Sequence, residues 1–192
     1  YGSRPQDYET DVLSRKANDF IKRAAGNGAP FFMYLAPYAP HQPAIPAPRH
    51  QREFENISLP RPPSFNEADV RDKPKWISQQ VQLSASEIAE LEVLYRKRLQ
   101  SLLAVDEMLA SLIQTLKATG QLEHTFIFFS SDNGFHLGQH RLPVGKGTPY
   151  EEDIRVPLIV RGPGVHAGYV VKDLALNIDL APTFAALAGA RT

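Results

Sequence analysis

The chain has 192 residues, 43% apolar and 22% charged, with 21 basic and 21 acidic side chains, an ordinary globular composition sufficient for one core and so for one domain or most of one. Zero net charge removes any bulk electrostatic case for nucleic acid or an anionic membrane surface, so anion binding must be local. The absence of cysteine excludes disulfides, thiolate metal sites and a cysteine nucleophile; no apolar run approaches the roughly 20 residues of a membrane span and the N-terminus has no signal-peptide pattern, which predicts a soluble chain.

Tyr1 to Pro5 reads as a loop. Val12, Ala17, Phe20, Ile21 and Ala24 then fall on one face of a helix that Gly26-Asn27-Gly28 ends. Pro30 to Ala36, with Phe31, Phe32, Met33, Tyr34 and Leu35 between turn signals, predicts a buried strand. The stretch from Pro37 to Pro48 holds five prolines, which confine the backbone to extended and turn conformations and hold His41 in a nearly fixed place. A loop histidine is commonly an ordinary surface group, but its position just past a strand end makes His41 a candidate acid or hydrogen-bond donor.

Residues 49–83 are rich in proline and charge, as in Leu59-Pro60-Arg61-Pro62-Pro63, and predict a long excursion with little regular structure. Such an insert is expected to cover the site entrance and help select the leaving group. Arg61, Arg71 and Trp76 are potential sugar contacts beside the plainer reading of solvated charges and a packing tryptophan. Asn56-Ile57-Ser58 satisfies the glycosylation pattern, which matters only in a eukaryotic secretory setting. Ser84 and Glu87 form a capping-box pattern. After it Ile88, Leu91, Tyr95, Leu99, Leu102, Leu109, Leu112 and Leu116 recur at helical steps down to Gly120. Arg96, Lys97 and Arg98 read as a solvated helix face, and Asp106 and Glu107 as structural charges.

Thr125 to Ser131 is an apolar, strand-length run closed by Asp132-Asn133-Gly134, which predicts a central strand of a parallel sheet. The ligand crevice of an open α/β sheet lies beyond the carboxyl ends of its strands, where Asp132 and Asn133 would stand. A carboxylate beside an amide oxygen offers hard donors suited to Ca²⁺ or Mg²⁺, with Gly134 turning the backbone away; a simple Asp-Asn-Gly turn is the alternative. Downstream lie His136, His140 and a Lys146 set between Gly145 and Gly147. Val156 to Val160 predicts another strand, Arg161 to Gly164 a turn, and Asp179 to Ala188 a small-residue helix. The alternation suits a three-layer α/β/α sandwich with a mostly parallel sheet.

Asp132-Asn133-Gly134, the glycine-punctuated loop, Gly145-Lys146, Tyr150-Glu151 and Arg155-Val156-Pro157, in this order, resemble the C-terminal half of the catalytic domain of the sulfatase family. Pro40-His41-Gln42-Pro43 resembles that family's other signature, and the likeness covers most of residues 8–188. It implies an alkaline phosphatase-like fold, here a partial catalytic domain over residues 1–192, incomplete at both ends. By that resemblance Asp132 and Asn133 bind a Ca²⁺ or Mg²⁺ ion, His41 and Lys146 contact the transferring sulfate, and His136 and His140 line the substrate site.

The chemistry has matching needs. Sulfate oxygens gain charge as the ester bond breaks, and a divalent ion with a lysine point charge answers that charge. The family's nucleophile is a formylglycine made within a Cys/Ser-x-Pro-Ser-Arg motif that this chain lacks, so it is expected upstream, and the 192 residues by themselves are expected to be inactive. The implied substrate is a sulfated small molecule or sugar, most closely one such as glucosamine 6-sulfate, and the implied compartment periplasmic, secreted or lysosomal. The missing N-terminal part of the same domain is the implied partner. Two other readings stand beside this one: a phosphodiester or phosphonate ester hydrolase of the same superfamily, and a non-catalytic remnant that binds anionic sugars.

Overall fold

A computed structural model describes residues 4–190; Tyr1 to Ser3 of the expected opening loop lie outside the described residues. The architectural spine is helix α3, Ala85–Ala118, 34 residues and hence about 50 Å long at 1.5 Å per residue. Its start is fixed as the sequence predicts: Ser84 Oγ accepts from Glu87 N at 3.3 Å, and Glu87 Oε2 accepts from Ser84 N at 2.7 Å.

The C-terminal half of α3 packs against α1, Glu9–Gly26. Ala17 and Ile21 from α1 meet Val105, Met108, Leu112 and Leu116 from α3 in one buried cluster. The face of α3 differs in detail from the leucine stripe: Leu102 is exposed, while Ala104, Val105 and Met108 are buried. The seven-residue series Leu91, Arg98, Val105, Leu112 runs nearer the buried line, since two turns of 3.6 residues return almost to the same azimuth.

The N-terminal half of α3 carries the second cluster. Leu91 packs there with Leu59 and Leu83 from the proline-rich excursion and Leu137 from the loop after β1. Residues 49–83 have little regular structure, as expected, beyond a 3₁₀ turn at Pro48–His50 and the single helical turn α2, Lys75–Ser78. The excursion is nonetheless anchored, because Leu59, Val70 and Ile77 are buried. Arg61 and Arg71, considered as sugar contacts, pair with Glu92 at 2.9 Å and Asp69 at 2.6 Å, and Trp76 lies 6.2 Å from the Tyr150 ring.

Strand β1, Ile127–Ser130, pairs with β2, Leu158–Arg161, in register Ile127 with Arg161 through Ser130 with Leu158. This ladder is antiparallel, so the neighbour described for β1 is not the parallel one expected; among the described residues the sheet has two strands. Ile127 and Phe129 pack toward the α1/α3 cluster, whereas the Phe128 ring meets Phe184 at 5.0 Å on α5, Leu180–Leu187. Helices therefore contact both faces of β1.

The predicted strand at 30–36 forms no regular element and pairs with no strand among the described residues. Its side chains still alternate: Phe31, Met33 and Leu35 pack on the α1/α3 cluster, and Phe32 turns to Phe184 at 5.5 Å. The two-residue period thus records two-faced burial, which does not by itself require a hydrogen-bonded ladder.

Candidate active site

Where β1 ends, three of the sequence-predicted residues come together. Asp132 is exposed, and its Oδ1 accepts from Asn133 N at 3.0 Å. The Asn133 amide donates to Gly134 O at 2.7 Å, which turns its Oδ1 outward to accept from Lys146 Nζ at 3.2 Å. From behind, Asn177 Nδ2 donates to the carbonyls of Ser131 and Asp132 at 3.1 and 3.2 Å. The side chain of Asn177, which the sequence reading left out, thereby fixes the backbone under the candidate metal ligands.

Gly134 is needed for a reason other than a turn. It donates its N–H to Asp153 O at 2.8 Å, and a Cβ there would lie 2.0 Å from the Glu152 carbonyl oxygen. Close backbone approach between this strand end and the single helical turn α4, Glu151–Ile154, leaves no room for a side chain.

His136 and His140 are both inside the supporting structure. His136 is buried, with Nδ1 2.9 Å from Asp153 Oδ1; the carboxylate only accepts, so Nδ1 carries the proton. Asp153 also accepts from Thr148 N at 2.9 Å and Thr148 Oγ1 at 2.7 Å. Burial pushes the Asp153 carboxyl up, but the hydrogen bonds from Thr148 and His136 outweigh it and hold it below its ordinary range. The backbones of His136 and Gly145 exchange hydrogen bonds at 3.0 and 3.2 Å, and a Cβ on Gly145 would approach His136 Nε2 to 2.9 Å. His136, Asp153 and Thr148 thus clip shut the loop that presents Lys146.

His140 is held from both sides. Its Nδ1 lies 2.6 Å from Glu67 Oε1 and its Nε2 3.7 Å from Glu152 Oε2, with its ring stacked on Tyr150 at 3.8 Å. Beside it Arg141 donates to three carbonyls of the excursion, those of Glu67, Ala68 and Gln80, each at 2.8 Å. The excursion is therefore fastened to the site loop by the very histidine expected to line it.

His41 is exposed on the proline loop, its Nδ1 2.8 Å from Gln42 O and its ring 4.7 Å from Tyr38. The preceding carbonyl, Pro40 O, accepts from Arg98 Nη1 at 3.0 Å. Arg98 is half-buried rather than on a solvated face, and its guanidinium lies 4.0 Å from the centroid of Phe135, two residues after Asn133. Of the two acids read as structural charges, Asp106 is exposed, while Glu107 binds Arg49 and His50.

The donor set at the end of β1 fits a divalent cation in kind, because a carboxylate and an adjacent amide oxygen are hard oxygen ligands. Among the described residues no cluster of three or more His, Asp or Glu side chains adds to it. The ammonium of Lys146 already lies on Asn133 Oδ1, so a cation and Lys146 would share that oxygen's surroundings.

The model of the family described as Sulfatase matches residues 2–190. The chain belongs to the sulfatase family. Human N-acetylglucosamine-6-sulfatase is 43% identical over 185 residues, covering 95% of this chain and 33% of the relative. A solved structure described as being in complex with its substrate, D-glucosamine-2-N,6-O-disulfate, superposes with a TM-score of 0.77 at 28% identity, over 96% of this chain and 49% of that one. The phosphonate monoester hydrolase of Silicibacter pomeroyi superposes with a TM-score of 0.78 at 25% identity, over 98% and 39% respectively. The chain spans about a third of the length of the curated sulfatases it matches, and no helix among its described residues is long and apolar enough to cross a membrane.

Proposed function

We propose that the protein to which this chain contributes is a sulfuric ester hydrolase acting on sulfated sugars, of which a 6-sulfated glucosamine is the leading class. The observation that carries this is the convergence of Asp132, Asn133 and Lys146 at the carboxyl end of β1, with Lys146 Nζ 3.2 Å from Asn133 Oδ1. Asp132 and Asn133 would hold Ca²⁺ or Mg²⁺, which when bound supplies Lewis-acid polarisation of a sulfate oxygen. Lys146 places a compact positive charge toward another oxygen, where it acts most strongly on the charge that develops during ester cleavage. His41 stands on a rigid exposed loop as hydrogen-bond donor or acid for the departing alkoxide. The nucleophile, a formylglycine by family resemblance, lies outside these 192 residues, as do the remaining metal ligands. The compartment implied is periplasmic, secreted or lysosomal.

One observation favours a second reading. The superposition on a phosphonate monoester hydrolase is as good as that on the glucosamine disulfate complex, 0.78 against 0.77 in TM-score, and a metal with a lysine suits phosphoryl oxygens as well. The full-length protein should be assayed on a chromogenic aryl sulfate, glucosamine 6-sulfate and an aryl phosphonate. Release of sulfate with the highest kcat/KM supports the sulfatase; preference for the phosphonate overturns it.

A further inference from the structure

We infer that Arg98 is a positioning residue, tying the loop that carries His41 to the loop that carries Asp132, Asn133 and Lys146. The inference rests on the proposed sulfatase reading for its kinetic consequence, although not for the tie itself. Arg98 falls in the seven-residue series with Leu91, Val105 and Leu112, all three of which are buried core. A charged residue on that line must lie against packed elements rather than in open solvent.

Its two contacts belong to different loops. Nη1 donates to Pro40 O at 3.0 Å, immediately before His41, and the guanidinium plane covers Phe135 at 4.0 Å, two residues beyond Asn133. Phe135 itself donates its N–H to Glu152 O at 2.6 Å, so the ring is part of the same framework that holds Gly134 and Asp153. Among the described residues no carboxylate pairs with it: burial acts on this guanidinium, lowering its pKa from the ordinary value. An arginine kept half-buried without a counter-ion is costly as a mere packing residue. The carbonyl dipole of Pro40 and the negative face of the Phe135 ring are what compensate it.

The same two loops meet at a second place. Gln42, next to His41, and Pro143 and Val144, just before Lys146, line one depression of about 410 Å³ over the first turns of α3, together with Leu94 and Lys97. Arg98, one residue after Lys97, bridges the same two loops through Pro40 and Phe135. For two groups that act on one small ester, displacement of about 1 Å costs on the order of 100-fold in rate.

The test uses full-length protein bearing Arg98→Met, Arg98→Lys or Phe135→Leu, with kinetics on an aryl sulfate, thermal unfolding, and hydrogen exchange of peptides covering 38–43 and 133–136. Arg98→Met should lower kcat by about 10- to 100-fold with a much smaller change in KM. Arg98→Lys, which keeps a cation over the ring, should recover part of it. Phe135→Leu should lower kcat as well, and combining it with Arg98→Met should cost less than the product of the two. Both peptide segments should exchange faster in Arg98→Met while the C-terminal half of α3 stays protected. Unchanged kcat in folded Arg98→Met overturns the inference, as does exchange that rises uniformly across the protein. If the unsubstituted protein cleaves no sulfate ester, the sulfatase reading fails, and the exchange measurement alone still decides whether Arg98 ties the loops.

Discussion

The buried imidazole of His136 donates from Nδ1 to Asp153, 2.9 Å away, and Asp153 in turn receives both the backbone N–H and the hydroxyl of Thr148. One carboxylate therefore joins the segment that leaves β1 to the loop that presents Lys146. Replacing it by alanine leaves a buried imidazole N–H and the Thr148 donors without a partner. Asp153→Ala is expected to cost about 3 kcal/mol of stability, read as a lowered denaturant midpoint.

Asp153 also makes a pH prediction. Its folded pKa is held below the ordinary carboxyl value by Thr148 and His136 in spite of burial. A depressed carboxyl stabilises the fold fully above its unfolded pKa of about 4 and loses that contribution as pH falls through the lower folded value. The stability gap between the native protein and Asp153→Asn should accordingly be constant from pH 7 to about 5 and narrow below about 4. A gap that stays constant down to pH 2 would show that the charge on Asp153 contributes nothing.

Lys146 tests the chemistry rather than the fold. It is exposed, with Asn133 Oδ1 as its hydrogen-bond partner, so Lys146→Ala should leave the unfolding midpoint within about 0.5 kcal/mol of native. In full-length protein kcat should fall by about 100- to 1,000-fold, because the charge acts on oxygens that become more negative in the transition state. Lys146→Arg should restore little, since a planar fork does not replace a compact point charge between two glycines. A native rate in Lys146→Ala would show that this ammonium is directed elsewhere.

Asp132→Ala should separate metal from scaffold. Its carboxylate contacts Asn133 N at 3.0 Å and Ser131 Oγ at 3.5 Å and takes no part in the core, so β1 should survive intact. Metal content by elemental analysis and sulfatase activity of the full-length protein should both fall, the activity by at least about 100-fold. Equal metal content and rate in the variant would remove Asp132 from the ligand set.

Arg141 gives a prediction about the excursion. Its guanidinium spans the carbonyls of Glu67, Ala68 and Gln80, each at 2.8 Å, and no other side chain makes so many bonds between residues 49–83 and the site loop among those described. Arg141→Ala should expose residues 66–82 to limited proteolysis at protease levels that leave the native protein whole, and should raise KM for a bulky sulfated sugar more than for a small aryl sulfate. Unchanged cleavage would mean that buried Val70 and Ile77 and the His140–Glu67 contact hold the segment without Arg141.

What the sequence disclosed follows the physics that is local. The capping box at Ser84 and the Ala17/Ile21 part of the α1 face depend on neighbours within a few residues, and both stand where the pattern puts them. Asp132, Asn133 and Lys146 were legible through family likeness, and the fold brings them together. The direction of the β1 neighbour was not legible, because β1 is packed on both faces and two-faced burial makes a strand continuously apolar whichever way its neighbour runs. Arg98 was hidden inside Arg96-Lys97-Arg98, where three adjacent charges resemble a solvated face. Its seven-residue spacing from Leu91 and Val105 was the available signal. Asp153 lay within Glu151-Glu152-Asp153, and only the tertiary contact distinguishes the buried acid from its exposed neighbour Glu151.

The 192 residues by themselves should hydrolyse no sulfate ester and bind divalent metal weakly. Asp132 and Asn133 provide two side-chain donors, and no cluster of three or more His, Asp or Glu side chains among the described residues supplements them. Ca²⁺ takes about six to eight oxygens, so water would have to complete the shell and affinity should be poor. The chain contains no cysteine, and none of its serines lies in the Cys/Ser-x-Pro-Ser-Arg setting that formylglycine formation requires by family resemblance. Phe32, Tyr34 and Ile159 are 66, 79 and 62% exposed, and residues 30–36 have no ladder partner among the described strands, so self-association is also expected. The purified chain should be assayed on a chromogenic aryl sulfate with Ca²⁺ present, its metal affinity measured by calorimetry and its size by light scattering. Turnover that survives repurification and disappears in Lys146→Ala would require a nucleophile within these residues, and the assignment of the nucleophile to another part of the protein would then be wrong.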